Sequence, residues 1–203
     1  MQQIDFDSIE GFVLAGGASS RMGTDKAKLV LDGQTFSKRI SDALAAAVSS
    51  VTIVGSDKGE FGLPTVPDVF KKWGALGGLH AALANCQARW AIVVACDLPF
   101  VTPALFSRLL SLRENYDAVA PLQEDGRRQP LCAIFRVNVC LPLSEKLINA
   151  GERRPLTLLQ SVRTRWVTFA ELADLDGADQ FFDNVNTPED YAQAQRKGEA
   201  FEE

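Results

Sequence analysis

Short uninterrupted apolar runs alternate along this chain with stretches whose apolar residues return every third or fourth position. The first kind reads as buried strand, the second as amphipathic helix. Residues 12–14 are a strand, and residues 29–31 a short apolar run closed by the turn signal Asp32-Gly33. Thr35 or Ser37 caps a helix to about Ala47 that shows Phe36, Ile40, Leu44 and Ala47 on one face. Residues 51–54 form a β-branched strand. Residues 63–68, with proline on both sides, make a short edge strand at best. Residues 73–79 open a helix to about Cys86, and residues 90–95, WAIVVA, have the character of a central parallel strand. Thr102-Pro103 starts a helix carrying Leu105, Leu109 and Leu112. Strands follow at 118–121 and 131–135. A helix at 139–148 has its start limited by Pro142, and a short helix spans 155–162. Residues 165–169 are a strand, residues 181–186 the last extended piece, and Thr187-Pro188-Glu189-Asp190 a helix start. The tail beyond Lys197 is polar and frayed.

This alternation predicts a three-layer α/β/α fold, a mostly parallel sheet with helices on both faces. No repeat, low-complexity tract or linker divides the chain, so residues 1–203 read as one domain. Alternation is less regular beyond about residue 118, which suggests a smaller region facing the first half. A chain of this length buries about 70% of its unfolded surface, and 46% hydrophobic with 23% charged residues is ordinary globular composition. The net charge of −5 argues against a general nucleic-acid binder. No apolar run reaches membrane-spanning length, and the acidic N-terminus lacks a signal pattern, so a cytoplasmic location without membrane attachment is expected. The four cysteines are scattered and read as reduced and mostly buried. With a single histidine, His80, a Cys/His zinc site is poorly supplied and a structural role suits that residue.

The candidate chemistry begins at residues 12–29, FVLAGGASSRMGTDKAKL. An apolar strand runs into a small-residue loop and then into Arg21 and Lys26. Loop N–H groups with no bulky side chains surround anionic oxygens, and fixed cations offset their charge, which is what a polyphosphate needs. The glycines fit neither the G-x-x-x-x-G-K-[ST] nor the G-x-G-x-x-G pattern. Asp97 follows the central strand, where open α/β sheets place their chemistry. Thr102 can cap the next helix, which leaves Asp97 for Mg²⁺, a cation that takes carboxylate and phosphate oxygens. Gly74, Gly77 and Gly78 at a helix start need a reason, either close approach to a ligand or tight packing against the sheet.

Leu14-Ala15-Gly16-Gly17, Arg21-Met22-Gly23 and Asp25-Lys26 resemble the signature of the molybdenum cofactor guanylyltransferases, as does Cys96-Asp97-Leu98-Pro99-Phe100. Asn184-Val185-Asn186-Thr187-Pro188-Glu189 is similar to a late motif of that family. The resemblance implies a Rossmann-like nucleotidyltransferase fold that moves GMP from GTP to the phosphate of Mo-molybdopterin. It implies a nucleotide-binding half to about residue 117 and an acceptor-binding half from about 118. Leu14, Ala15, Gly16, Gly17, Asp68 and Gly78 would contact the nucleotide. Asp68 would accept from the N1–H and 2-amino groups of guanine, a donor pair that adenine lacks. Arg21, Lys26 and Asp97 would serve catalysis, and Asp97 with Asn186 would hold Mg²⁺. Gln129, Arg153, Arg154 and Asn184 would meet the acceptor. GTP and molybdopterin are the implied substrates, and proteins that deliver the cofactor or accept it, the apo-molybdoenzymes, the implied partners. The segment 74–78 lacks a proline that the family carries, and residues 55–56 offer no match to its second-strand nucleotide contact. Alternatives that stay open are a cytidylyltransferase on the same pterin, a sugar-phosphate nucleotidyltransferase, and a non-catalytic guanine-nucleotide sensor.

Overall fold

The computed structural model describes residues 9–15, 26–55, 62–70 and 73–199. Strand β1 (Ile9–Leu14) leads, past a 3₁₀ turn at Lys26–Lys28, to a hairpin of β2 (Val30–Leu31) and β3 (Gln34–Thr35). Asp32 and Gly33 form its tip with φ of 49° and 73°, the left-handed geometry that a two-residue hairpin needs to follow strand twist. Helix α1 (Phe36–Ala45) is capped by Thr35, whose hydroxyl accepts from Lys38 N–H. Then come β4 (Ser50–Val54), β5 (Thr65–Val66), α2 (Ala75–Asn85) and β6 (Trp90–Ala95). They are followed by α3 (Pro103–Ser111), β7 (Ala118–Pro121), β8 (Cys132–Arg136) and α4 (Val137–Asn149). Helix α5 (Pro155–Ser161), β9 (Thr164–Val167) and α6 (Pro188–Glu199) complete the chain.

A seven-stranded sheet runs in the order β5-β4-β1-β6-β8-β7-β9. Every pairing is parallel except those of β8, which runs antiparallel to both β6 and β7. The strands of the second half therefore continue the sheet of the first. Both faces are covered. On one, Ile40 and Leu44 of α1 and Leu105, Phe106 and Leu109 of α3 pack with Val13, Ile92 and Val94. On the other, Leu76, Leu79 and Leu83 of α2 and Leu158 and Leu159 of α5 pack with Phe12, Leu14, Ala91 and Val93. Alternate residues of β1 and β6 thus enter opposite cores, which is why those strands read as unbroken apolar runs.

The structure departs from the sequence reading at three places. Helix α4 starts at Val137 and passes through Pro142. Pro142 is exposed, and so is Asn138, the residue whose carbonyl is left without its helical N–H. Residues 181–186 join no strand. Phe181 and Phe182 turn into the core, and the chain after them has no regular structure until α6. Strand β9 ends at Val167, and Phe169 opens a 3₁₀ turn instead of prolonging it. Among the described residues, no helix is long and apolar enough to cross a membrane.

Candidate active site

The carboxyl ends of four strands line up along one edge of the sheet. Leu14 pairs with Val54 on one side and Ala95 on the other, and Val54 pairs with Val66. The ladder continues one step beyond, through Ala15 N–H to Val54 O (2.9 Å), Gly55 N–H to Val66 O (2.9 Å) and Cys96 N–H to Leu14 O (3.1 Å). Ala15, Gly55 and Cys96 are thereby set side by side where such sheets hold their ligands.

Asp68, Gly78 and Leu14 meet at this edge. A Cβ on Gly78 would lie 3.6 Å from Leu14 Cδ1 and 3.7 Å from Asp68 Oδ1. The glycines of α2 serve different ends. Gly74 precedes the helix with φ of 76°, a left-handed conformation. Gly77 has no room for a side chain, because its Cβ would stand 2.9 Å from Trp73 Cβ and 3.1 Å from Phe70 O. The tight packing is therefore against Phe70 and Trp73, not against the sheet, while Gly78 faces Leu14 and Asp68.

Asp97 sits half-buried just after β6, in a turn closed by Leu98 N–H to Ala95 O. Thr102 caps α3 by accepting from Leu105 N–H at 3.3 Å, so that task does not fall to Asp97. Arg39 of α1 steadies the loop by donating to Pro99 O at 3.2 Å. The distant Asn motif arrives through one backbone contact: Val185 N–H donates to Asp97 O at 3.0 Å, which puts Asn184 and Asn186 on either side of that anchor. Asp190 accepts from the N–H groups of Asn186 (2.9 Å) and Thr187 (2.8 Å), and Asp190 N–H returns a bond to Thr187 Oγ1 (3.1 Å). This reciprocal cap fixes the chain entering α6. Among the described residues no cluster of three or more His, Cys, Asp or Glu could hold a metal ion. The donors here, a carboxylate and an amide oxygen, fit a hard cation that completes its shell with phosphate and water oxygens.

Two cavities adjoin this anchor. One, of about 680 Å³, lies between Phe100, the 123–127 loop, residues 178–186 and α6, and is rich in carboxylates, among them Glu124, Asp179 and Asp183. The other, of about 470 Å³, is lined by Gln129, Asn184, Arg128 and Leu156. Gln123, Arg127 and Asn184 border both. Gln129 and Asn184 line the same cavity, whereas Arg153 and Arg154 line neither. Arg154 is paired with Glu152 at 2.9 Å, and the Arg153 guanidinium lies 4.7 Å from the centroid of the Trp73 ring. Hydrogen bonds from Arg154, Thr157 and the N–H groups of Arg153 and Arg154 hold the Glu152 carboxyl well below the usual carboxylate range.

Of the remaining sequence candidates, Gly16, Gly17 and Arg21 lie outside the described residues, and Lys26 begins the 3₁₀ turn that enters the hairpin. His80 is buried on α2 with its ring edge-on to Phe70, and burial lowers its pKa against an opposing pull from Glu145. The sequence reading passed over Gln123, Trp73 and Val185. A lone Trp just before a glycine-rich helix start was the available signal for Trp73; Val185 gave none, since its part is played by backbone.

The family model of the MobA-like NTP transferase domain matches residues 11–165. A sequence from Pelotomaculum thermopropionicum named "Probable molybdenum cofactor guanylyltransferase" is 34% identical over 187 residues, 91% of this chain and 90% of that one. The molybdenum cofactor guanylyltransferase of Yersinia pestis is 32% identical over 189 residues, 90% of this chain and 93% of its own. Among solved structures, the molybdopterin-guanine dinucleotide biosynthesis protein A of Archaeoglobus fulgidus superposes with a TM-score of 0.81 at 24% identity, covering 94% of this chain and 99% of that one. The 2-C-methyl-D-erythritol 4-phosphate cytidylyltransferase of Thermus thermophilus shares the fold with a TM-score of 0.68 at 16% identity, over 93% and 98% of the two chains. Matched by the family model over most of its length, this chain belongs to the MobA-like NTP transferase family.

Proposed function

We propose that the protein is a molybdenum cofactor guanylyltransferase, moving GMP from GTP to the terminal phosphate of molybdopterin with release of pyrophosphate. A pterin phosphate oxygen attacks the α-phosphorus of GTP, the bond from that phosphorus to the bridging oxygen breaks, and pyrophosphate leaves with the electron pair. The acceptor dianion is already nucleophilic, so alignment and charge stabilisation carry the reaction and no general base is required. This suits a chain whose single histidine is buried against Phe70.

In this reading the whole chain is one nucleotidyltransferase domain, with a nucleotide-binding half to about residue 117 and an acceptor-binding half from about residue 118. Leu14, Ala15, Gly16 and Gly17 bring backbone to the nucleotide. Asp68, across from Gly78, accepts from guanine N1–H and the 2-amino group. Arg21 and Lys26 hold the triphosphate. Asp97 and Asn186 would hold Mg²⁺, whose bound charge supports the phosphate oxygens. Gln129 and Asn184 face the acceptor across the smaller cavity, and Arg153 and Arg154 do not reach it. The carboxylate-rich cavity suits the pterin ring, whose 2-amino and N3–H groups are donors. The protein works in the cytoplasm and exchanges cofactor with delivery proteins and apo-molybdoenzymes.

The bond from Val185 N–H to Asp97 O carries the proposal, because it joins the metal candidate of one half to the Asn motif of the other. Pyrophosphate release with molybdopterin, Mg²⁺ and GTP, run beside CTP and ATP, tests it. Release with GTP alone is expected, and Asp97→Ala should abolish it while leaving the circular dichroism spectrum intact. Release with CTP instead, or GTP binding without turnover, would replace it with the cytidylyl or the sensor reading.

A further inference from the structure

Asp68 stands on a weakly built part of the molecule. It lies just past β5, a two-residue strand at the sheet edge, and the next regular element begins only at Ala75. An edge strand this short contributes few ladder bonds to hold the segment beyond it. Something else must fix Asp68 and Phe70 if Asp68 is to discriminate between bases.

Phe70 and Trp73 are held from two sides. On the inner side Trp73 N–H donates to Phe70 O at 3.2 Å, and both residues press on Gly77 so closely that no side chain fits there. The Phe70 ring meets the buried His80 ring at 4.8 Å. On the outer side the contact is with residues distant in sequence. Trp73 Nε1–H donates to Glu152 O at 2.7 Å, and the Arg153 guanidinium covers the indole at 4.7 Å.

The outer support is itself stiff. Gly151, with φ of 90°, ends α4, and Glu152 N–H returns to Leu147 O at 3.0 Å. The Glu152 carboxylate accepts from Arg153 N–H (2.8 Å), Arg154 N–H (3.0 Å) and Thr157 Oγ1 (2.8 Å). The segment continues into Pro155 and Leu156, and Leu156 lines the 470 Å³ cavity.

We infer that Trp73, clamped by Glu152 and Arg153, is a positioning residue for guanine selection, holding Phe70 and through it Asp68 opposite Gly78. The inference rests on the assignment of Asp68 to the base. The clamp reaches across the molecule from the acceptor side to the nucleotide side, so the wall that recognises the base is anchored by a segment that also borders the acceptor cavity. Indole is suited to the task. Its ring offers Arg153 a face, and its N–H reaches a backbone carbonyl, so it makes both contacts at once.

The test compares Trp73→Phe, Trp73→Ala and Arg153→Ala with wild type in pyrophosphate release. GTP, ITP and ATP are each varied at saturating acceptor, and the acceptor is then varied at saturating GTP. Trp73→Phe keeps a ring beneath Arg153 and loses the donor to Glu152 O. It should raise the KM for GTP roughly threefold, as befits one hydrogen bond. Trp73→Ala loses both contacts and should raise it roughly tenfold or more. In each case kcat should change little and the preference for GTP over ATP in kcat/KM should shrink. A merely structural role would lower the melting temperature and the active fraction without altering that preference.

Arg153→Ala, at an exposed side chain, keeps the inference open to refutation should Trp73→Ala fail to fold. Unchanged GTP KM and unchanged base preference in folded variants would overturn it. A raised acceptor KM with unaltered GTP KM in Arg153→Ala would overturn it too, and would make Arg153 an acceptor ligand. Asp68→Asn separates the two layers. Loss of base preference there while the Trp73 variants keep it would sink the clamp alone, whereas preference retained in Asp68→Asn would remove the base assignment and the clamp with it.

Discussion

Adjacent glycines in the first turns of α2 should respond oppositely to the same substitution. Alanine in a helix interior is favoured over glycine by about 1 kcal/mol. At Gly78 the new methyl meets Leu14 Cδ1 at 3.6 Å and Asp68 Oδ1 at 3.7 Å, ordinary contact distances. Gly78→Ala should therefore keep most of that gain, and in a chain of this size about 1 kcal/mol raises Tm by roughly 2–4 °C. At Gly77 the methyl would stand 2.9 Å from Trp73 Cβ and 3.1 Å from Phe70 O, neither of which is the far end of a flexible side chain. Overpacking of this kind costs about 1–3 kcal/mol. Set against the propensity gain, Gly77→Ala should range from neutral to a loss of about 2 kcal/mol. Activity should separate the pair differently. The Gly78 methyl intrudes beside Asp68, where the base is proposed to sit, so the KM for GTP should rise by about an order of magnitude or more in the more stable variant. Calorimetric melting and pyrophosphate release against GTP concentration read both effects. A Gly77→Ala protein that melts above wild type refutes the packing argument. A Gly78→Ala protein with the wild-type KM for GTP refutes the placement of the base.

Two more outcomes concern ionisable groups. The folded pKa of Glu152 is depressed, chiefly by Arg154, so its stabilising contribution is whole above the ordinary carboxylate value of 4.5 and is lost as pH falls through the lower folded value. Between about pH 6 and about pH 3 the Tm of wild type should fall further than that of Glu152→Gln; parallel curves would show the network contributes nothing. Burial holds the Cys86, Cys132 and Cys140 thiols up at about 12, while Cys96, beside Asp97, is half-buried. An aromatic disulfide reagent should therefore label Cys96 first in the native protein, and Mg²⁺ with GTP should slow it. Fast labelling of a second thiol would contradict this.

Local pattern carried most of the fold. Unbroken apolar runs marked β1 and β6 because both their faces are covered, and Thr102-Pro103 and Thr187-Pro188 marked helix starts through their caps. What local pattern could not carry is order in the sheet. Nothing in residues 132–136 says that they will run antiparallel between β6 and β7, since that depends on which edge remains open when the strand docks. Pro142 misled because a proline on a solvent face costs less than one in a packed helix. At the site, Asp97 stood out by its position after the central strand, whereas Asp68 and Gly78 were singled out by the resemblance. The meeting of Asp97 with the Asn motif rests on a backbone bond from Val185, and a backbone bond leaves no trace in residue type. Gly77 and Gly78 look alike in sequence, and only the neighbours of each decide that one has no room for a methyl and the other does.

The antiparallel insertion of β8 also bears on the order in which the protein is made. Strand β6, apolar along its length, emerges from the ribosome with β1 ready on one side and nothing for the other. Its second neighbour is β8, which comes after α3 and β7 in the chain. Until β7 and β8 have emerged and docked as a hairpin, the nascent protein presents a long hydrophobic edge of the kind that recruits foreign strands. A pause that leaves the chain emerged only to between residues 96 and 131 holds it in this state, and fragments cut there carry it permanently. Truncations meant to isolate the nucleotide side should therefore reach past Arg136, where that edge is closed.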